Sequence, residues 1–101
     1  MRLVLEFDCD ADIVDVPQFV IENKEFYRKR FIKWLYNKNT KHKYWVQVRD
    51  SNGNSYYGLR YRGDAFVEWL NKRVLGQEDQ MACVVEQNAC DYPNTLPTLF
   101  F

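Results

Sequence analysis

Apolar residues recur along this chain in two rhythms. Leu3, Leu5 and Phe7 alternate with Val4, Glu6 and Asp8, the period of a strand with one buried face, and predict a strand over residues 2–8. The aspartates Asp8, Asp10, Asp12 and Asp15 then read as an acidic connection. Beyond it the period lengthens. At about 100° per residue, Val16, Val20, Tyr27, Phe31 and Trp34 fall within a stripe roughly 60° wide. This predicts a helix from a first turn at Pro17 to about Asn37. Tyr44 to Arg49 and Ser55 to Arg62 read as strands around the turn Asp50-Ser51-Asn52-Gly53-Asn54. A second helix is expected from Gly63, with Asp64 as N-cap, Phe66, Trp69, Leu70 and Val74 inward and Gly76 as the stop. Met81 to Gln87 predicts a fourth strand. Residues 88–101, with Pro93 and Pro97 and the ending Leu99-Phe100-Phe101, read as an extended apolar tail.

Phe31-Ile32-Lys33-Trp34-Leu35 is echoed by Phe66-Val67-Glu68-Trp69-Leu70. Each puts Phe, Trp and Leu on one helix face, and each is followed by a β-like run. Two similar helix-then-strand units predict an α+β, two-layer sandwich with the ferredoxin-like order βαββαβ over residues 1–87 and the tail over 88–101. A chain of 101 residues is one domain.

Composition adds little until it is read by position. Net charge is zero, but residues 1–23 carry one base and six acids, and residues 24–49 carry nine bases and one acid. The blocks either pair across the folded surface or leave a basic patch for phosphate or an acidic partner. Cys9, Cys83 and Cys90 are odd in number and lack Cys-x-x-Cys spacing, which argues against a disulfide framework or structural zinc; Cys83 reads as a small buried hydrophobe. No apolar run is long enough to span a membrane, and Glu6 interrupts any leader-like start, so the expected location is the cytoplasm. No glycine-rich phosphate loop exists and no cofactor is expected. His42, between Lys41 and Lys43, reads as a solvated side chain with nothing to orient it as a base.

Strand alternation divides the sheet. Leu3, Leu5, Phe7, Val46, Val48, Tyr57, Leu59, Tyr61, Cys83 and Val85 are expected inward. Val4, Glu6, Asp8, Trp45, Gln47, Arg49, Tyr56, Gly58, Arg60, Arg62, Val84 and Glu86 are expected on an open face. Rings stack on bases, and Arg binds phosphate and also stacks. The candidate binding residues are therefore Lys41, Lys43, Trp45, Arg49, Tyr56, Arg60 and Arg62. The alternative is that Arg60 pairs with Glu6 and Trp45 merely covers Tyr56.

In element order, and in the glycine beside aromatics of Tyr56-Tyr57-Gly58-Leu59-Arg60-Tyr61, the chain resembles the RNA-recognition motif. Leu59 and Arg60 depart from that family's aromatic and aliphatic positions. An aspartate closing the first strand, Asp8, also resembles the CRISPR-adaptation nucleases, which would imply a divalent ion on Asp8 and Asp10. A solvated acidic turn favouring the next helix N-terminus outweighs that reading. The expectation is a non-enzymatic module acting on nucleic acid or a nucleoprotein, suited to an inhibitor or accessory role such as phage counter-defence. A protein-binding or homodimeric module is the alternative, and a metal-dependent nuclease the third.

Overall fold

The computed structural model describes residues 1–8, 10–37, 39–76, 81–89 and 91–101. Its strands are β1 (Arg2–Glu6), β2 (Ala11–Asp15), β3 (Trp45–Arg49), β4 (Ser55–Leu59), β5 (Cys83–Ala89) and β6 (Thr98–Phe100). Its helices are α1 (Gln18–Glu22), α2 (Lys24–Leu35) and α3 (Gly63–Leu70), the last continued by a π-helical turn over Asn71–Leu75. Among the described residues no helix is long and apolar enough to cross a membrane.

The class is α+β, but the strand order departs from βαββαβ. A four-stranded sheet runs β5-β2-β1-β6, while β3 and β4 form a separate two-stranded hairpin. The acidic connection supplies the missing strand: β2 pairs antiparallel with β1 through a tight turn, in which the Phe7 N–H donates to the Asp10 carbonyl at 2.8 Å. Ala11, Ile13 and Val14 are buried there, so the apolar residues between the aspartates outweigh the charge. The first helix is likewise two. Asn23, at φ −121° and ψ 30°, leaves the helical region between α1 and α2.

Register assigns the sheet faces. Leu3 opposes Val14 and Leu5 opposes Asp12, on the face that carries the helices. Val4 opposes Ile13 on the other face, which is not open: Ala11, Ala89, Tyr92 and Leu96 cover it. β5 is turned over relative to expectation. Cys83 and Val85 are exposed, and Val84 packs on the core opposite Val14. Cys9 and Cys90 lie outside the described residues.

The stretch read as a tail continues β5 to Ala89 and ends in β6, parallel to β1, with Leu99 buried beside Leu5. β6 is an edge strand whose outward carbonyls are capped. Lys24 Nζ donates to the Thr98 carbonyl at 3.1 Å and Arg28 Nε to the Phe100 carbonyl at 2.8 Å. Four helix residues rise about 6 Å and two strand residues about 6.6 Å, so the spacings match. The caps deny that edge to another strand.

The repeated motifs pack against each other. Phe31 and Phe66 meet edge to face at 5.3 Å, Phe31 meets Trp69 at 5.8 Å, and Leu35 and Leu70 are buried alongside. Trp69 is buried and Trp34 only half-buried. The two tryptophans are therefore not equivalent.

Helix α3 is anchored from outside itself. Asp64, expected as N-cap, reaches only the next N–H, on Ala65. The Gly63 N–H instead donates to Asp12 Oδ2 at 2.8 Å, and Asp12 is 1% exposed. Asp12 Oδ1 accepts from Arg62 Nη2 at 2.8 Å and from the Asn88 N–H at 3.1 Å. Asn88 sits at φ 54°, in the irregular stretch where β5 slips register against β2, and the bulge turns its N–H inward. An added Cβ at Gly63 would lie 2.9 Å from Asp12 Cβ.

Asp12→Asn puts an amide among three donors. It is expected to cost roughly 3 kcal/mol and lower Tm by at least about 10 °C. Gly63→Ala is expected to cost about 1–3 kcal/mol by overpacking the same point. Thermal unfolding checks both, and unchanged midpoints would refute the anchor.

Candidate functional site

A run of three joined clefts lies where the hairpin meets the ends of the helices. Thr40, Lys41, His42, Trp45, Tyr56 and Tyr57 line a depression of about 530 Å³. Through Thr40, Lys41 and His42 it joins a cleft of about 620 Å³ that reaches Trp34, Trp69 and Arg73. That cleft in turn shares Trp34, Thr40, Trp69 and Arg73 with a furrow of about 860 Å³ on α2, lined by Phe26, Tyr27, Arg30 and Lys33, with Arg30 5.4 Å over the Phe26 ring.

His42 is the hinge of this surface and is held on both edges. Its Nδ1 accepts from the Tyr44 N–H at 3.2 Å, which leaves Nε2–H to donate to the Leu35 carbonyl at 2.9 Å. Its faces meet Trp34 at 4.7 Å and Trp45, nearly parallel, at 5.9 Å. The expectation of a solvated histidine is thus corrected: the loop folds back on the end of α2, and aromatic contact orders the ring. The indole Nε1 atoms of Trp34 and Trp45 are buried and find no acceptor among the described residues.

Of the expected site residues, Lys41, Trp45 and Tyr56 meet around the depression. Lys43 lines the adjoining cleft, 3.1 Å from Glu68 and over the Tyr44 ring. Arg49, opposite Ser55 near the hairpin turn, and Arg60, just past β4, are exposed and line none of these three clefts. Arg62 belongs elsewhere. It binds Asp10 and Asp12, each at 2.8 Å, and its guanidinium lies 5.1 Å from the Phe7 ring centroid. Burial alone would lower the Arg62 pKa, but the two aspartates outweigh it and hold the proton more firmly than usual. Asp10, considered above for a divalent ion, is thereby engaged.

The face assignment within the hairpin also changes. The turn places Arg49 opposite Ser55 and Gln47 opposite Tyr57, so Trp45 shares a strand face with Tyr57 rather than with Tyr56. Tyr57, expected inward, is 73% exposed, because β3 and β4 have left the sheet that would have covered it. Sequence reading missed Tyr57, Arg30, Lys33 and Arg73. Helical spacing offered a signal for Phe26, Arg30 and Lys33, spaced i, i+4 and i+7 on one face of α2. Nothing local places Arg73 beside them.

Charge is unevenly committed across this surface. Glu68 takes the Tyr44 hydroxyl, Lys72 and Lys43. The Tyr44 hydrogen bond, followed by that of Lys72, holds the Glu68 carboxyl down at about 2. Burial, then Glu68, raises the Tyr44 phenol well above its usual range. Among the described residues, Arg30, Lys33, Lys41 and Arg73 are exposed and enter no ion pair.

Because the folded Glu68 pKa lies below its ordinary 4.5, its contribution is complete above about pH 4.5 and is lost as pH falls toward about 2. The wild-type chain should therefore lose stability over that window more steeply than Glu68→Gln. Denaturant midpoints measured at pH 5, 4 and 3 check this, and parallel curves would refute it.

No family model matches the chain, and no curated protein and no solved structure matches it, which leaves the molecule's own geometry to carry the functional reading.

Proposed function

We propose that this protein is a non-enzymatic binding module that occupies a nucleic-acid or nucleoprotein surface, through the ground that runs from the hairpin depression to the furrow on α2. One observation carries the reading. Some of the described basic residues are committed to intramolecular ion pairs or hydrogen bonds; of those that enter none, Arg2, Lys29, Arg49 and Arg60 lie outside the three clefts, and the other four gather around aromatic rings. Lys24 and Arg28 cap β6, Arg62 serves Asp12, and Lys43 and Lys72 hold Glu68. Arg30, Lys33, Lys41 and Arg73 line the three joined clefts. Unpaired cations beside exposed rings are what a phosphate-bearing, base-bearing partner requires. Lys33 and Arg73 also sit in last turns, where they offset the negative helix ends that would repel phosphate. A small domain that acts by covering such a partner suits an inhibitor or accessory factor, such as a phage counter-defence protein.

The second reading is a protein partner or a second copy of the chain. It is favoured by β5, whose outer edge carries no strand among the described residues and exposes Val85.

A salt titration separates the two. Nucleic-acid binding is expected to weaken steeply with salt, and Lys33→Gln and Arg73→Gln should each flatten the slope by about 0.7–0.9. Lys24→Gln should lower Tm and leave the slope alone. Absence of binding at low salt would transfer the function to the protein-partner reading.

A further inference from the structure

The hairpin depression differs in chemistry from the furrow on α2. The furrow offers charge: Arg30, Lys33 and Arg73. The depression offers ring faces with one cation, Lys41. His42 uses both ring nitrogens internally and its faces meet Trp34 and Trp45, so it orders the floor and leaves the tyrosine rings for a ligand. Tyr56 and Tyr57 are both exposed, and two χ angles each make them inexpensive to order. A site built of ring faces binds a flat, conjugated group by stacking and does little to tell one such group from another.

Resting on the nucleic-acid reading above, we propose that the hairpin depression is a stacking subsite for an unpaired base. The furrow on α2 then holds the phosphates that lead to it, and the ligand class is single-stranded nucleic acid bound with little sequence preference. The exclusion of duplex follows from geometry. Paired bases hide their faces in the helical stack, so a duplex could use the furrow cations but not the rings. The hairpin is suited to the task because it stands apart from the main sheet. Tyr57, on the strand face of Trp45, can close on a base without disturbing the core, and Tyr56, on the opposite strand face, borders the depression from the hairpin's other side. Among the described residues the buried Nε1 donors of Trp45, in the depression, and of Trp34, in the adjoining cleft and furrow, have no acceptor, and a ligand acceptor admitted by a small side-chain shift would satisfy them.

The test is fluorescence anisotropy of four labelled 12-mers against the intact chain: oligothymidylate DNA, oligouridylate RNA, an abasic strand with the same phosphates, and a DNA duplex. Either base-bearing single strand should bind at least about tenfold tighter than the abasic strand and the duplex. The double variant Tyr56→Ala, Tyr57→Ala alters exposed side chains and should keep its Tm. It should lose about tenfold or more on the base-bearing strands, with an unchanged salt slope and no loss on the abasic strand. Equal binding of the abasic strand, a preference for duplex, or an unaffected tyrosine variant would overturn the base subsite while leaving nucleic-acid binding standing. No binding of any of the four would take away the nucleic-acid reading itself.

Discussion

A single carboxylate, on Asp12, ties three elements of this fold together. It stands on the helix-bearing face of the sheet, opposite Leu5. There it receives the first N–H of α3, the guanidinium of Arg62 and the N–H of Asn88 in the β5 bulge. A carboxylate so buried would be strongly unfavourable alone, and it is tolerated because every donor around it is one that also needs an acceptor. The helix end, with its positive dipole, is the natural seat for it. Gly63 is required because a side chain there would collide with Asp12. Arg62 completes the joint and extends it, since its guanidinium also covers Phe7, whose ring stacks on Phe101 at 5.4 Å.

From that joint the aromatic core follows. With the start of α3 fixed on β2, Phe66 and Trp69 are directed at Phe31 of α2. The two copies of the Phe-x-x-Trp-Leu pattern become the two halves of one interface. Phe101 closes the cluster against Phe31 and Phe66, which holds β6 against β1. The basic block of α2 divides according to the same geometry. The side turned to β6 supplies Lys24 and Arg28 as caps, and Arg30 and Lys33 line the furrow instead.

The hairpin is the part that the core does not dictate. β2 and β6 take both sides of β1, and β3 and β4 pair with each other as a separate hairpin. They are attached through Tyr44, whose carbonyl accepts the Arg60 N–H and whose hydroxyl donates to Glu68, and through the His42 stack. Rings that a sheet would have buried are left exposed beside cations that the rest of the fold does not use.

The sequence by itself determined the local elements whose pattern is self-sufficient: the first strand, the hairpin with its turn, the inward stripe of α2, the apolar face of α3 and the α+β class. Period and turn chemistry act between near neighbours, so they can be read from spacing alone. It also marked Lys41, Trp45 and Tyr56, which meet around one depression. Tertiary structure decided what depends on partners distant in the chain. Asp12 reads as solvated until Arg62 and Asn88, 50 and 76 residues away, are brought to it, and with its charge compensated β2 becomes a strand. The Arg62 guanidinium reads as free for a ligand until those aspartates engage it. The face of Val84 was set by the β5 bulge, and the exposure of Tyr57 by the loss of a sheet neighbour. Strand order and ion pairing are long-range events, and a periodic pattern carries no information about which distant segment will supply the missing hydrogen bonds.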